Sequence, residues 1–315
     1  MKKNIFTVLM LISVVIVSNT KGFAFGIAKI TVNVVDENGQ PLADTKVRVR
    51  FSGGEMPLFE KTDDHGNCTV SASSKDGVVV GTAIKDGYYE STFHQDFYVK
   101  KLGFWQPFGK ELTVVLRQII NPVPMYVRNS SFKIPVKNQE IGFDLEKADW
   151  VIPHGRGTMS DFIFKIDEHY ESDVNYDARM AIRFSNPHDG IQIVRDDGGG
   201  DFNVGSRFRL LRTAPIDGYI LKIEKRNSWD IQGRHVDMNN LINYIFRVRS
   251  EVDENGNFKK AIYGKIIGDI WYTPGGGGKI SMNYYLNPDN TQNLEYDPKR
   301  NLFVSLPSDE NVTQP

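Results

Sequence analysis

The chain has 315 residues, with 38 Lys plus Arg against 39 Asp plus Glu, 40% apolar residues and one cysteine. It lacks the basic surplus that nucleic-acid binding draws on, so no nucleic-acid partner is expected, and a single cysteine excludes both an intramolecular disulfide framework and a thiolate zinc cluster. The 28 glycines and 32 Phe plus Tyr indicate a turn-rich chain that folds around buried aromatics, long enough for two domains.

At the amino end, Lys2 and Lys3 precede an apolar run over residues 5–17, broken only by Thr7 and Ser13. This is the charged and apolar order of a secretory signal. Small residues at Ala24 and Gly26 place cleavage after Gly26 first and after Ala24 second. The run is short of the roughly 20 apolar residues that a membrane span requires, so residues 1–26 are read as a signal peptide and not as an anchor. Export to the periplasm or beyond is expected. Cleavage leaves 35 basic against 39 acidic residues, no later stretch is long and apolar enough to span a bilayer, and Cys68 follows no lipobox.

From Ile30, apolar and polar residues alternate to Val34, break at the turn Asp36-Glu37-Asn38-Gly39, and resume at Val47 and Val49. Period-two alternation broken by an Asn-Gly turn predicts half-buried antiparallel strands. The same pattern returns over residues 68–72, 78–84 and 112–116. The opening strand with Val35-Asp36-Glu37-Asn38-Gly39-Gln40-Pro41-Leu42, the Val47 strand, the Thr62-to-Gly66 turn and Gly87-Tyr88-Tyr89 resemble the carboxypeptidase regulatory-like, or transthyretin-like, β-sandwich domain. That resemblance covers residues 28–117; it implies a sandwich that serves as an accessory or adhesion module and assigns no chemistry. The aromatic segment 97–109 departs from it and is read as a lip against a second domain.

Asn121-Pro122-Val123-Pro124 forbids a helix and reads as a linker. The stretch from Pro124 to Gly155 resembles segments of exported bacterial proteins of uncharacterised function. Alternation continues at Phe162, Phe164 and Ile166, at Met180, Ile182 and Phe184, over 208–211 and over 219–223; one short helix is expected over 236–244. A hairpin is predicted to join residues 244–249 to 261–270 through Asp253-Glu254-Asn255-Gly256-Asn257. The expected fold class is therefore all-β: a transthyretin-like or immunoglobulin-like sandwich over 27–120, a linker at 121–124, a larger β-sandwich-like domain over 125–307, and a frayed tail at 308–315.

Asp196, Asp197 and Asp201 on a glycine-rich loop could wrap calcium, but the spacing is not that of an EF-hand and an exposed turn explains the composition first. Calcium is the one cofactor this leaves open. Asp161, Asp189, Asp196, Asp201 and Glu224 offer carboxylates for glycoside hydrolysis, yet no spacing singles out a pair. His154, Ser160 and Asp161 lack a nucleophile elbow. Gly275 to Gly278 lead into Lys279-Ile280 and not into the Lys-Ser/Thr of a phosphate loop, so they read as a hairpin loop. Loop aromatics stack on sugar rings or fill a partner's pocket, and Trp229, Trp271 and Tyr272 are the candidate ligand contacts. No catalytic residue is assigned. The expected role is an exported, non-catalytic binding or interaction protein whose partner is a glycan or a cell-surface protein; a polysaccharide-active hydrolase or lyase and a structural envelope component are the rivals.

Overall fold

The computed structural model describes residues 25–195, 204–256 and 258–315, and these form strands with no helix among them. The amino-terminal part builds β1 (Gly26–Val35), β2 (Lys46–Phe51), β3 (Leu58–Lys61), β4 (Asn67–Ser74), β5 (Val78–Ile84), β6 (Tyr88–Tyr89), β7 (Ser91–Asp96), β8 (Val99–Lys101), β9 (Phe104–Gln106), β10 (Lys110–Val115) and β11 (Arg117–Gln118). One sheet runs β10-β1-β9-β8 with β4 also paired to β1, and the facing sheet contains β7-β5-β2-β3. The turn at Asp36 to Gly39 thus connects two sheets and does not close a hairpin: β1 pairs antiparallel with β4 and parallel with β10, whereas β2 pairs with β3 and β5. Alternation places Ile30, Val32 and Val34 against Val47, Val49 and Phe51 in the sandwich core, and Cys68 is buried there as a small apolar side chain.

The remaining strands are β12 (Val123–Lys133), β13 (Glu140–Asp144), β14 (Asp149–Trp150), β15 (Phe162–Ser172), β16 (Asn175–Arg183), β17 (Gly190–Arg195), β18 (Gly205–Ser206), β19 (Lys222–Asp230), β20 (Gly233–Val236), β21 (Ile242–Val252), β22 (Phe258–Ile266), β23 (Trp271–Thr273), β24 (Lys279–Asn287) and β25 (Tyr296–Asn301). A sheet ordered β17-β21-β22-β24-β12-β25, with β23 on β24, faces one ordered β14-β13-β15-β16-β19-β20. Their shared core holds Phe143, Phe162, Phe164, Ile182, Phe246 and Tyr284. The first of these sheets is covered on its other face too, by Met125, Tyr285 and Tyr296 and by Ile245, Tyr263 and Leu294. Hence Asn243 to Val248 is a continuous buried run instead of an alternating one.

Three expectations are corrected. Residues 236–244 form no helix: the Asn239 side chain accepts the Leu241 N–H at 2.9 Å and Asp269 accepts the Asn239 N–H at 2.8 Å, local bonds that compete with a helical ladder. Residues 208–211 form no strand, because Phe208 leaves the sheets to fill the junction between the two sandwiches. The tail is docked: Glu310 pairs with Arg128 at 2.6 Å, the Glu310 carbonyl accepts the Asn129 N–H, and Val312 enters a core cluster. β12 begins at Val123, within the 121–124 segment, and β18, from beyond it, extends the amino-terminal sandwich by pairing with β7. The 97–109 segment lies on the start of β1, with the Trp105 indole N–H donating to the Ser74 carbonyl at 3.1 Å.

Phe208 is the hub of the junction. Arg117, Arg212 and Lys265 lie 4.2, 4.8 and 4.8 Å from its ring centroid, and Tyr89 packs on it at 5.2 Å. Lys265 is fully buried; its Nζ also lies over Tyr285 and reaches the Pro315 carbonyl at 3.4 Å. Burial, reinforced by the positive charge of Arg117, lowers its ammonium to about 7. An unfolded chain binds this proton up to about pH 10.4, so between about pH 7 and 10 the unfolded state holds more protons and stability rises with pH. Replacing Lys265→Met removes the penalty. Urea denaturation is expected to show the variant more stable by about 1–4 kcal/mol at pH 6.5, with the gain shrinking toward pH 9.5. A variant that is less stable at both pH values would show that the buried ammonium is net stabilising.

Candidate binding rim

On the core-facing side of β15, Phe162, Phe164 and Ile166 fill the sandwich, and two further steps of the period-two repeat carry Glu168 and Tyr170 past its edge. In β16 the same face runs from Ile182 through Met180 and Ala178 to Tyr176, and in β19 from Ile223 to Asn227 and Trp229. Register then aligns Tyr170 with Tyr176, Tyr176 with Trp229, and Trp229 with Arg234 of β20. Three aromatic rings and a guanidinium thus form one row across four adjacent strands. Tyr170 stacks on Tyr176 at 6.2 Å and 22°, and Arg234 lies 5.6 Å from the Trp229 ring centroid. Tyr170 is 37% exposed and Trp229 partly exposed, whereas Tyr176 is buried between them.

The β23–β24 loop closes one end of the row. Gly275, Gly276, Gly277 and Gly278 all have positive φ, which suits residues without a Cβ. A Cβ at Gly275 would lie 2.6 Å from the Tyr170 ring, so the loop backbone rests directly on that ring. Beneath it, the Glu168 carboxylate accepts from Lys137 at 2.6 Å and from the Tyr272 hydroxyl. The Tyr176 hydroxyl donates to Asn227 at 3.0 Å, and Asn227 donates to the Tyr272 carbonyl at 3.2 Å. Burial first, and then the bond to Glu168, holds the Tyr272 phenol protonated well above its ordinary range. These bonds fix the underside of the row; Trp229 is left partly exposed, and Tyr170 is exposed beside the loop with its hydroxyl donating to Asp173.

Of the three aromatics singled out in the sequence, only Trp229 lies in the row. Tyr272 is 2% exposed and supports the rim from within the core; it is not a surface contact, because its ring fills the space under the glycine loop. Trp271, its neighbour along the strand, is partly buried against the same core and does not join the row. Tyr170, Tyr176 and Arg234 escaped the sequence reading, since nothing in their spacing tells that β15, β16, β19 and β20 are neighbours. Asp196, Asp197 and Asp201 lie outside the described residues.

The other candidate acids are engaged in ion pairs and hydrogen bonds, two of them at Arg249. Asp161 is bound by Arg249, Asp189 accepts the N–H groups of Arg249 and Ser250, and Glu224 is exposed and paired with Lys222. His154 is exposed on its turn and is not brought to Asp161. A separate cleft of about 590 Å³ lies between the sandwiches, lined among others by Lys85, Tyr88, Arg207 and Asp297. No helix of the described residues is long and apolar enough to cross a membrane.

No family model and no curated protein matches the chain. Among solved structures, it is similar to a DUF3823 family protein from Parabacteroides merdae, with 11% identity over 86% of this chain and 99% of that one, at a TM-score of 0.20. The major pilin subunit of Bacillus cereus gives 10% identity over 85% and 99%, with a TM-score of 0.23. A 3-chlorocatechol 1,2-dioxygenase from Rhodococcus opacus gives 14% identity over 30% of this chain and 60% of that one, with a TM-score of 0.26. At these scores the likenesses carry no argument about activity, and the all-β architecture rests on the strands and sheets described above.

Proposed function

We propose that the protein is an exported binding protein in which the second sandwich presents the Tyr170–Tyr176–Trp229–Arg234 row to a glycan. The observation that carries this reading is the row itself: adjacent strands hold the rings side by side, and exposed rings on a rigid scaffold stack on the apolar face of a sugar while a guanidinium at the end donates to its hydroxyls. Export follows from the signal pattern. Because β1 begins at Gly26, cleavage after Ala24 leaves that strand whole and cleavage after Gly26 removes its first residue.

A glycan array on the mature protein tests the reading. Binding is expected, with Trp229→Ala weakening it about tenfold or more, the equivalent of about 1.4 kcal/mol, and Tyr170→Ala acting in the same direction. Binding untouched by both substitutions would remove the rim as the site. Release of shortened product would replace binding with polysaccharide hydrolysis or cleavage.

A further inference from the structure

The β8–β9 hairpin stands out from the amino-terminal sandwich on a buried root. Trp105 is 9% exposed, donates its indole N–H to the Ser74 carbonyl at 3.1 Å, and lies under the Lys100 ammonium at 5.5 Å. Beyond that root the apolar groups face outward: Leu102 at the tip is 97% exposed, Tyr98 85% and Val99 50%. Phe104 and Phe108 meet edge to face at 5.1 Å and both remain exposed, with Lys29 over Phe108 at 5.7 Å. Residues 97–110 contain five aromatics and three lysines; the acids are at their flanks, Asp96, which accepts from the Tyr98 hydroxyl at 3.4 Å, and Glu111.

Register explains why these groups share a face. Lys101 pairs with Phe104, and Phe104 with Ile27 of β1, so the three project on the outer side of the sheet. The Ile27 N–H donates to the Gly103 carbonyl at 2.8 Å, which binds the tip to the first turn of chain after the apolar amino-terminal run. Exposed Tyr, Phe and Leu interleaved with lysines suit the boundary between lipid headgroups and acyl chains, where apolar burial and attraction to anionic headgroups add.

We propose that this tip is a peripheral membrane contact that seats Leu102, Tyr98 and Phe104 in the surface of an anionic bilayer, with Lys101 against its phosphates. It is independent of the glycan rim, which belongs to the other sandwich. The test is co-sedimentation of the full mature protein with vesicles of phosphatidylcholine mixed with phosphatidylglycerol, and with phosphatidylcholine alone. Binding is expected to the anionic vesicles and to fall with added salt. Leu102→Asp should reduce it about tenfold, from the lost burial of one leucine, and leave thermal unfolding unchanged because Leu102 is exposed in the fold. Trp229→Ala should bind vesicles as the unsubstituted protein does. No binding to anionic vesicles, or binding that Leu102→Asp leaves intact, overturns the proposal. So does a dimer that Leu102→Asp dissolves while vesicles go unbound, which would assign the tip to a second copy of the chain.

Discussion

Replacing Arg249→Met is expected to destabilise the protein by about 3–5 kcal/mol at pH 7, the cost of stranding a buried charge. The Arg249 guanidinium joins the two sheets of the second sandwich: it binds Asp161 through two N–H groups at 2.7 and 2.9 Å, Glu146 at 2.6 Å and Asp144 at 3.2 Å. Arg249 has a φ of 55° at an irregularity between Val248 and Glu251, where an unpaired residue turns its side chain out of the regular ladder. Methionine keeps the length and the backbone geometry but supplies no donor. Asp144 retains N–H bonds from Thr158 and Met159, whereas Asp161 keeps only that from Leu145. Asp161 is therefore the group left exposed to the full cost of burial, which already pushes its carboxyl up against the pull of Arg249.

The sign of the pH effect follows. Without Arg249 the folded-state value of Asp161 rises further above the unfolded one. The penalty on its charged form is then present at neutral pH and relieved as acid protonates it. Urea titrations of both proteins at pH 7 and pH 4.5 should show the gap narrowing at the lower value. A gap below about 0.5 kcal/mol at pH 7, the level of an ordinary surface substitution, would show that the cluster does not hold the sheets together.

The fold class was legible because alternation is local. Phe162, Phe164 and Ile166 announce a strand wherever it sits, and the Asp253-to-Gly256 turn and the four glycines at 275–278 mark hairpins that the pairing of β21 with β22 and of β23 with β24 bears out. What alternation does not encode is which strands are neighbours. Tyr170 and Trp229 are 59 positions apart and meet only through Tyr176. Nor does it encode burial on both faces: Lys265 occupies a position that the polar half of an alternating strand would give to solvent, yet a second layer built from Phe208 and the carboxy-terminal residues covers it. The docked tail has the same origin, since Glu310 and Val312 become ordered only where Arg128 and the Tyr285 cluster receive them.

That second layer depends on one carboxylate, and Glu295→Ala is expected to cost about 3–5 kcal/mol for the same reason as Arg249→Met. Glu295 is fully buried, accepts from three donors at 2.9 Å, the N–H groups of Ile120 and Asn121 and the Tyr89 hydroxyl, and forms an ion pair with the Arg212 guanidinium at 2.9 Å. Tyr89 belongs to the amino-terminal sandwich and Arg212 to the second, and Arg212 continues to Glu37 at 3.0 Å. Burial raises the Glu295 carboxyl, but the Asn121 and Ile120 N–H groups, Arg212 and Tyr89 together outweigh it and hold the group below its ordinary value. With the folded value depressed, its contribution is complete above the unfolded value near 4.3 and is lost as pH falls through the folded one. Alanine leaves two backbone donors and one guanidinium face unpaired. Glu295→Gln keeps an acceptor in place and should cost less, about 1–3 kcal/mol, from the lost charge. Denaturation followed by Trp105 in the first sandwich and Trp229 in the second, each read with the other tryptophans replaced by Phe, separates the two halves. Coincident transitions are expected with Glu295 present, and transitions that part in Glu295→Ala. If the alanine variant unfolds at the original midpoint with both probes still coincident, the junction is held by the β7–β18 pairing and not by this carboxylate.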